Sequence, residues 1–237
     1  MSAVVNVHPH PKPMKFVIKY PTRGRPQQFL KQIPAYRALL SGEHSVRFVI
    51  SIDEDDPLMV NEEMGNYLRG QADCQVFVGR SKSKVEAINA DFDKLGDYDV
   101  LILASDDMIP TTQHYDVVLA DLMTKHFPAM DGCLHFSDGF NPRGLNTMPI
   151  AGKRLLDHWG WVYHPEYVSE YCDDWFQAVT ERDGKSYRDA RVLFHHQWCS
   201  PFGKDATFKR NQGFSRQDKA TFDRHKAAGF PLGGMTI

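Results

Sequence analysis

Residues 99–104, DVLILA, carry no polar side chain after the first position, and the run empties directly into Ser105-Asp106-Asp107. A strand that is apolar on both faces has to be covered on both, which makes it a central, parallel strand with helices packed above and below. The text before it agrees. KFVIKY (15–20), VRFVISI (46–52) and CQVFV (74–78) read as strands. Between them lie amphipathic stretches: 29–40, with Phe29, Leu30, Ile33, Tyr36, Leu39 and Leu40 on one face, then 59–68, then VEAINADFDKL (85–95). Pro34 is expected to kink or split the first of these helices, and Gly42 to end it. The β-α-β-α-β-α-β alternation predicts an α/β fold with a doubly wound, mostly parallel sheet, whose ligands bind beyond the carboxyl ends of the strands. Each strand empties there into a polar loop: TRGR (22–25), DEDD (53–56), GRSKSK (79–84) and SDD (105–107). After Thr111 the pattern is less regular, with a helix near 113–125, short strands and a loop, SDGFNPRGLN (137–146).

With 237 residues, 42% of them hydrophobic, the chain can bury one sizeable core. The expected division is an N-terminal arm over 1–14, a catalytic domain over 15–203 and a C-terminal extension over 204–237 that packs on it. Within the domain, a nucleotide-binding half covers 15–110 and an acceptor half 111–203. A net charge of -2 gives no global field for a polyanion. No apolar run is long enough to span a bilayer and the first residues lack a signal-like h-region, so no membrane insertion is expected. Cys74, Cys133, Cys172 and Cys199 form no CxxC pair, which fits reduced thiols and a cytoplasmic location.

The two common phosphate-binding motifs, GxGxxG and GxxxxGK[ST], are absent. Adjacent carboxylates at the end of a buried strand are costly without a partner, and Mn²⁺ or Mg²⁺ bridging Asp106 and Asp107 to a diphosphate would supply one. The competing reading is a helix cap, which needs only one such residue. In DEDD, Asp53 leaves its strand toward the crevice and can accept from a ribose hydroxyl or a base N–H, while Glu54 and Asp56 read as a solvated turn. Arg23, Arg25, Arg80, Lys82 and Lys84 are cations within reach of phosphate oxygens. In EYCDDWF (170–176), aromatic neighbours could desolvate Asp173 or Asp174 toward general-base use; helix capping is the alternative. RVLFHHQW (191–198) is a strand on which only one of His195 and His196 can face the crevice.

The order strand–TRGR, strand–DEDD, KVEAIN, strand–SDD, YCDD and a late HH resembles the GT-A glycosyltransferases, in particular the inverting family 2 type. The resemblance runs over about residues 15–203. It implies a GT-A Rossmann-like sheet flanked by helices with a less regular acceptor-side part. It also implies a nucleotide-sugar donor, UDP-sugar first, held by Pro21, Thr22, Arg23, Arg25, Asp53, Lys84, Asn89 and Asp106. Ser105-Asp106-Asp107 resembles the DxD motif without its first Asp. The implied metal ligands are Asp107 with His196, or else His195; the implied catalytic base is Asp174, with Asp173 beside it in a DD that replaces ED. The implied reaction is a single, inverting displacement onto an acceptor hydroxyl. Alternatives are a sugar-phosphate nucleotidylyltransferase and a non-catalytic nucleotide-sugar-binding protein. Seven basic against three acidic residues over 204–226, with Phe208, Phe214 and Phe222 between them, suggest a closing C-terminal helix. The alternative reading of the same stretch is an anionic acceptor, a phosphate-bearing glycan or hydroxymethylated DNA; otherwise the acceptor is a neutral glycan or a small molecule.

Overall fold

A computed structural model describes residues 12–141, 144–197 and 205–232. Strands β1 (Lys15–Thr22), β2 (Ser45–Asp53), β3 (Cys74–Gly79) and β4 (Val100–Leu103) run parallel and alternate with helices α1 (Pro26–Ala38), α2 (Glu62–Arg69) and α3 (Lys84–Asn89). There follow β5 (Met108–Pro110), α4 (Tyr115–His126), β6 (Cys133–Phe136), β7 (Ile150–Gly152), α5 (Lys153–Trp159), α6 (Cys172–Arg182), β8 (Ser186–Asp189), β9 (Phe194–His196), α7 (Ala206–Gln212) and α8 (Ser215–Ala227). The main sheet has the order β3-β2-β1-β4-β7-β6-β8, and β7 alone runs against the others. A two-stranded ribbon, β5-β9, stands apart from it.

Every residue of β4 is buried, as the apolar run requires. Alternation along the strands divides the interior in two. Phe16, Ile18, Tyr20, Phe48, Ile50, Val100 and Ile102 face one core, covered by α1, α2 and α4. Val17, Val49, Leu101 and Leu103 face the other, covered by α3, α5 and α6. Helix α1 opens with Pro26, whose missing N–H is one the first turn leaves unpaired in any case, and it runs through Pro34 without dividing. The apolar face formed by Phe29, Ile33 and Tyr36 holds it on the sheet across that lost hydrogen bond.

The helix expected over 85–95 stops at Asn89, and Asp91 takes a left-handed φ of 59° before a short 3-10 turn, Phe92–Lys94. The cause lies on β1. Lys19 is 1% exposed, and its ammonium donates to Ser51 Oγ and, at 2.7 Å, to the carbonyl of Ala90. Asp91 accepts from Ser51 Oγ at 2.9 Å and from Lys94 at 2.8 Å. The chain breaks its helix to bring a carbonyl and a carboxylate to a buried cation.

At the other end of the fold, Asp218 of α8 is completely buried. Its carboxylate accepts from three consecutive backbone N–H groups, Val168 at 2.9 Å, Ser169 at 2.8 Å and Glu170 at 2.7 Å. Tyr171, next in line, is left-handed (φ 58°), and α6 begins immediately after it. Phe222 of α8 packs on Tyr171 and Phe230, so the C-terminal helix and the entry to α6 form one unit.

Two outcomes are expected. Replacing Asp218 by Ala leaves three N–H groups without their acceptor and should cost about 3 kcal/mol or more, read from urea unfolding, with Asp218→Asn costing less. The second concerns pH. Burial pulls the Lys19 pKa down to about 8, against the upward pull of Asp91, while the unfolded chain keeps the ordinary 10.5. Between these values the unfolded state binds more protons, so stability rises with pH. Measured against Lys19→Met, which has no such group, the native protein should gain up to about 3 kcal/mol between pH 7 and pH 10.5.

Candidate active site

The carboxyl ends of β1, β2 and β4 open into a cavity of about 660 Å³. Its walls include Pro21, Thr22, Arg23, Arg25, Asp53, Lys84, Asp106, Asp107, Asp173 and His196. Residues separated by some 170 positions in sequence thus meet at one site, where a doubly wound sheet places its ligands.

The first two loops are stitched together by charge. Gly24, with φ 70°, takes a left-handed turn that favours glycine and turns its N–H to Asp56 at 2.6 Å. Asp56 is 4% exposed and also accepts from Leu58 N–H at 3.1 Å, so it is a buried tie between loops, where the sequence suggested a solvated turn. Arg23 donates to Asp53 at 2.7 Å and also pairs with Asp55. Glu54 is exposed and pairs with Arg80 of the third loop. Arg25 forms a two-pronged pair with Asp205, at 2.9 and 3.2 Å, and lies 3.8 Å from Asp106. Helix α7 is thereby tied over the first loop, and Arg210 extends the tie to the third loop by donating to the Lys82 carbonyl at 2.8 Å.

Asp106 and Asp107 are held in opposite electrostatic states. Asp106 is buried beneath the first loop, accepting from Tyr20 and Thr22 hydroxyls at 3.2 Å each. Burial, with the neighbouring Asp107 charge, pushes its pKa up to about 7, although Arg25 and the two hydroxyls pull the other way. For Asp107 burial works against the charge too, but His196, Ser105 and Arg25 outweigh it and hold the pKa down at about 2. Ser105 Oγ donates to Asp107 at 2.7 Å. Ser105 thus orients the carboxylate two residues on.

His196 completes this arrangement. The β5-β9 ribbon pairs Met108 with His196, which sets that histidine beside Asp107. Its Nε2 lies 3.5 Å from Asp107 and its Nδ1 lies 3.3 Å from Asp138. A carboxylate on Nδ1 fixes the ring and presents Nε2 outward, the usual setting of a metal-binding histidine. Asp107 with His196 Nε2 therefore offers an oxygen and an imidazole nitrogen that suit Mn²⁺, and their chemistry fits a divalent ion. Asp138 was not singled out in the sequence reading; its place in a loop, far from any acidic pair, carries no pattern. It accepts from the backbone N–H groups of Phe140 and Asn141 and from Thr147, at 2.9, 2.7 and 3.0 Å. His195 is exposed on the opposite side of the strand, against Gly139, and does not line the cavity.

Asp173 lies in the cavity wall together with Glu170 and Lys84, whereas Asp174 does not line it. Burial opposes the Lys84 charge, but the acidic groups around it, Asp173, Glu170 and Asp107 among them, raise its pKa overall. Glu170 is itself shifted upward, chiefly by burial. Asn89 is turned elsewhere: its side chain donates to the Tyr163 carbonyl at 2.7 Å and accepts from Val162 and Tyr163 N–H at 3.0 and 3.1 Å. It positions the segment before α6 and is not part of the cavity wall. Arg143, Cys199 and Lys204 lie outside the described residues.

At the level of sequence, no protein family and no curated protein matches the chain. Solved structures do match in three dimensions. A mannosyltransferase, PcManGT from Pyrobaculum calidifontis in complex with GDP-Man and Mn²⁺, superposes with a TM-score of 0.65 at 10% identity over 92% of this chain and 67% of that one. TarS 1–349 of S. aureus superposes at 0.58 with 15% identity, over 77% of this chain. This chain spans 60% of that TarS structure. The β-1,4-galactosyltransferase 7 of Drosophila, as a mutant bound to manganese, UDP-Gal and xylobiose, superposes at 0.51 with 16% identity over 78% of this chain and 71% of that one. The strand order, the crevice and these superpositions together establish that the chain has the GT-A fold.

Proposed function

We propose that the protein is a metal-dependent glycosyltransferase that moves a sugar from a nucleotide diphosphate, UDP-sugar first, to an acceptor hydroxyl. The observation that carries this reading is the meeting, in one cavity, of Asp107 and an Asp138-oriented His196 with a further carboxylate, Asp173. Mn²⁺ complexes of the mannosyltransferase and the galactosyltransferase support the choice of ion. Donor complexes of the same two proteins, with GDP-Man and UDP-Gal, support the donor class.

In this reading Asp53 and Arg23 hold the nucleoside, and Thr22, Arg25 and Asp106 hold the base of the donor loop. Asp107 and His196 hold the ion, which when bound supplies positive charge to the departing diphosphate. Lys84 adds a fixed positive charge near the same centre. Asp173 takes the proton of the acceptor hydroxyl. That oxygen bonds to the anomeric carbon as the bond to the diphosphate oxygen breaks, so the configuration inverts and nucleoside diphosphate leaves. Asp173 is preferred to Asp174 because it forms the wall of the cavity. A silent binding protein has no use for this carboxylate, and the first turn, TRGRP, is not the Gly-rich loop of a nucleotidylyltransferase.

For the acceptor, a glycan or small molecule is the better choice than DNA. Three of the six described basic residues of the stretch are already engaged: Lys219 pairs with Asp223, Arg224 with Glu166, and Arg210 with backbone carbonyls.

Calorimetry should show UDP or a UDP-sugar binding with Mn²⁺ and losing most of its affinity in EDTA or in Asp107→Asn. Equal affinity in all three would remove the ion from the mechanism. Asp173→Asn should keep donor affinity and lower turnover roughly 10²–10⁴-fold. Asp174→Asn should stay within about tenfold of the native rate, well short of a general base's contribution. The opposite ranking would return the base to Asp174.

A further inference from the structure

Away from the cavity, on the side covered by α8, His164, Glu166 and His225 each bring one ligand atom within 4.8 Å of the others. His164 and His225 are each 2% exposed, and their rings lie 4.7 Å apart, edge to face. Glu166 is the outward member, its side chain 45% exposed. Among the described residues His164 Nε2 has no hydrogen-bonding partner, although it is fully enclosed against Trp175 and His225. A buried, polar, unpartnered ring nitrogen is uncommon in a folded protein and asks for an occupant of the space it faces.

We infer that His164, Glu166 and His225 form a second metal site, distinct from the one at Asp107, which takes a zinc-class transition-metal ion and clasps α8 to the segment leading into α6. Two imidazoles and one carboxylate, with room for water on the exposed side, are a ligand set for such ions. His225 Nε2 already lies 3.5 Å from Glu166, close to the spacing of two ligands on one ion. The Tyr167 hydroxyl lies 3.3 Å from His225 Nδ1 and can accept its N–H, leaving Nε2 free to coordinate. Two present contacts compete with the ion. Glu166 N–H donates to His164 Nδ1 at 3.3 Å, and coordination through Nε2 gives up that long bond by moving the ring proton to Nδ1. Arg224 occupies Glu166 Oε2 at 2.5 Å, and its charge opposes a cation there. Imidazole ligands rank later first-row metals far above Mn²⁺, so this site with two imidazoles favours such ions more than the site with one at Asp107 does.

The opposing roles of Glu166 and Arg224, both exposed, provide the test. The full chain carrying Asp107→Asn, which keeps the crevice from contributing, is dialysed against micromolar Zn²⁺ and its metal content measured. One zinc per chain is expected, with a rise in melting temperature that EDTA reverses. Adding Glu166→Gln should weaken uptake at least tenfold in competition with a chelating dye. Adding Arg224→Gln should strengthen it several-fold. No zinc uptake by the Asp107→Asn chain, or uptake unchanged by both Glu166→Gln and Arg224→Gln, would overturn the site.

Discussion

Two adjacent carboxylates sit at the end of a strand buried on both faces, and much of the remaining architecture manages that cost. Asp106 is withdrawn under Tyr20 and Thr22 and pushed toward its neutral form, while Asp107 is kept charged by Ser105 and His196. An unpaired buried charge is among the most expensive features a fold can carry, so each partner must be fixed in place. The β5-β9 ribbon exists apart from the main sheet and brings His196 to Asp107. Asp138 in turn fixes His196 from behind. Strand, ribbon and loop are thus three elements arranged around one negative charge.

The same economy recurs in the loops. None of the first three polar loops at the sheet's carboxyl edge is held by an apolar contact alone. Asp56 binds the first loop to the second, Arg23 reaches Asp53 and Asp55, and α7 bridges the first and third through Arg25–Asp205 and Arg210. Partly buried, two-pronged pairs of this kind specify geometry more than they add stability. Of the cationic side chains expected to grip phosphate, Arg23, Arg25 and Arg80 are already paired with carboxylates. At Arg23 and Arg25, a phosphate entering the cavity exchanges partners and does not meet bare charge.

How far the sequence spoke depends on the range of the interaction. The parallel sheet was legible because the apolar runs and their spacing are local, and DVLILA announces a doubly buried strand without any partner being known. Alternation along a strand says that only one of His195 and His196 can face the crevice, not which. The ribbon register, with His195 exposed and His196 beside Asp107, is a tertiary fact. Asp138 was not legible, because nothing near it distinguishes a carboxylate that orients a histidine from one that caps a turn. Asn89 misled for the same reason: its amide is used on the backbone of Val162 and Tyr163, a contact across 73 positions. The break at Asp91 depends on Lys19, on a different strand, and a helical pattern read over 85–95 contains no trace of it.

Asp218 shows how far along the chain the crevice finds its parts. The sheet from β1 to β4 draws only on the first hundred or so residues. The segment carrying Asp173 acquires its acceptor for three N–H groups only from a side chain some fifty positions later, and Arg25 acquires Asp205 from 180 positions away. The crevice is therefore closed by long-range contacts: side chains at α7 and α8 join segments 48 to 180 positions away from them.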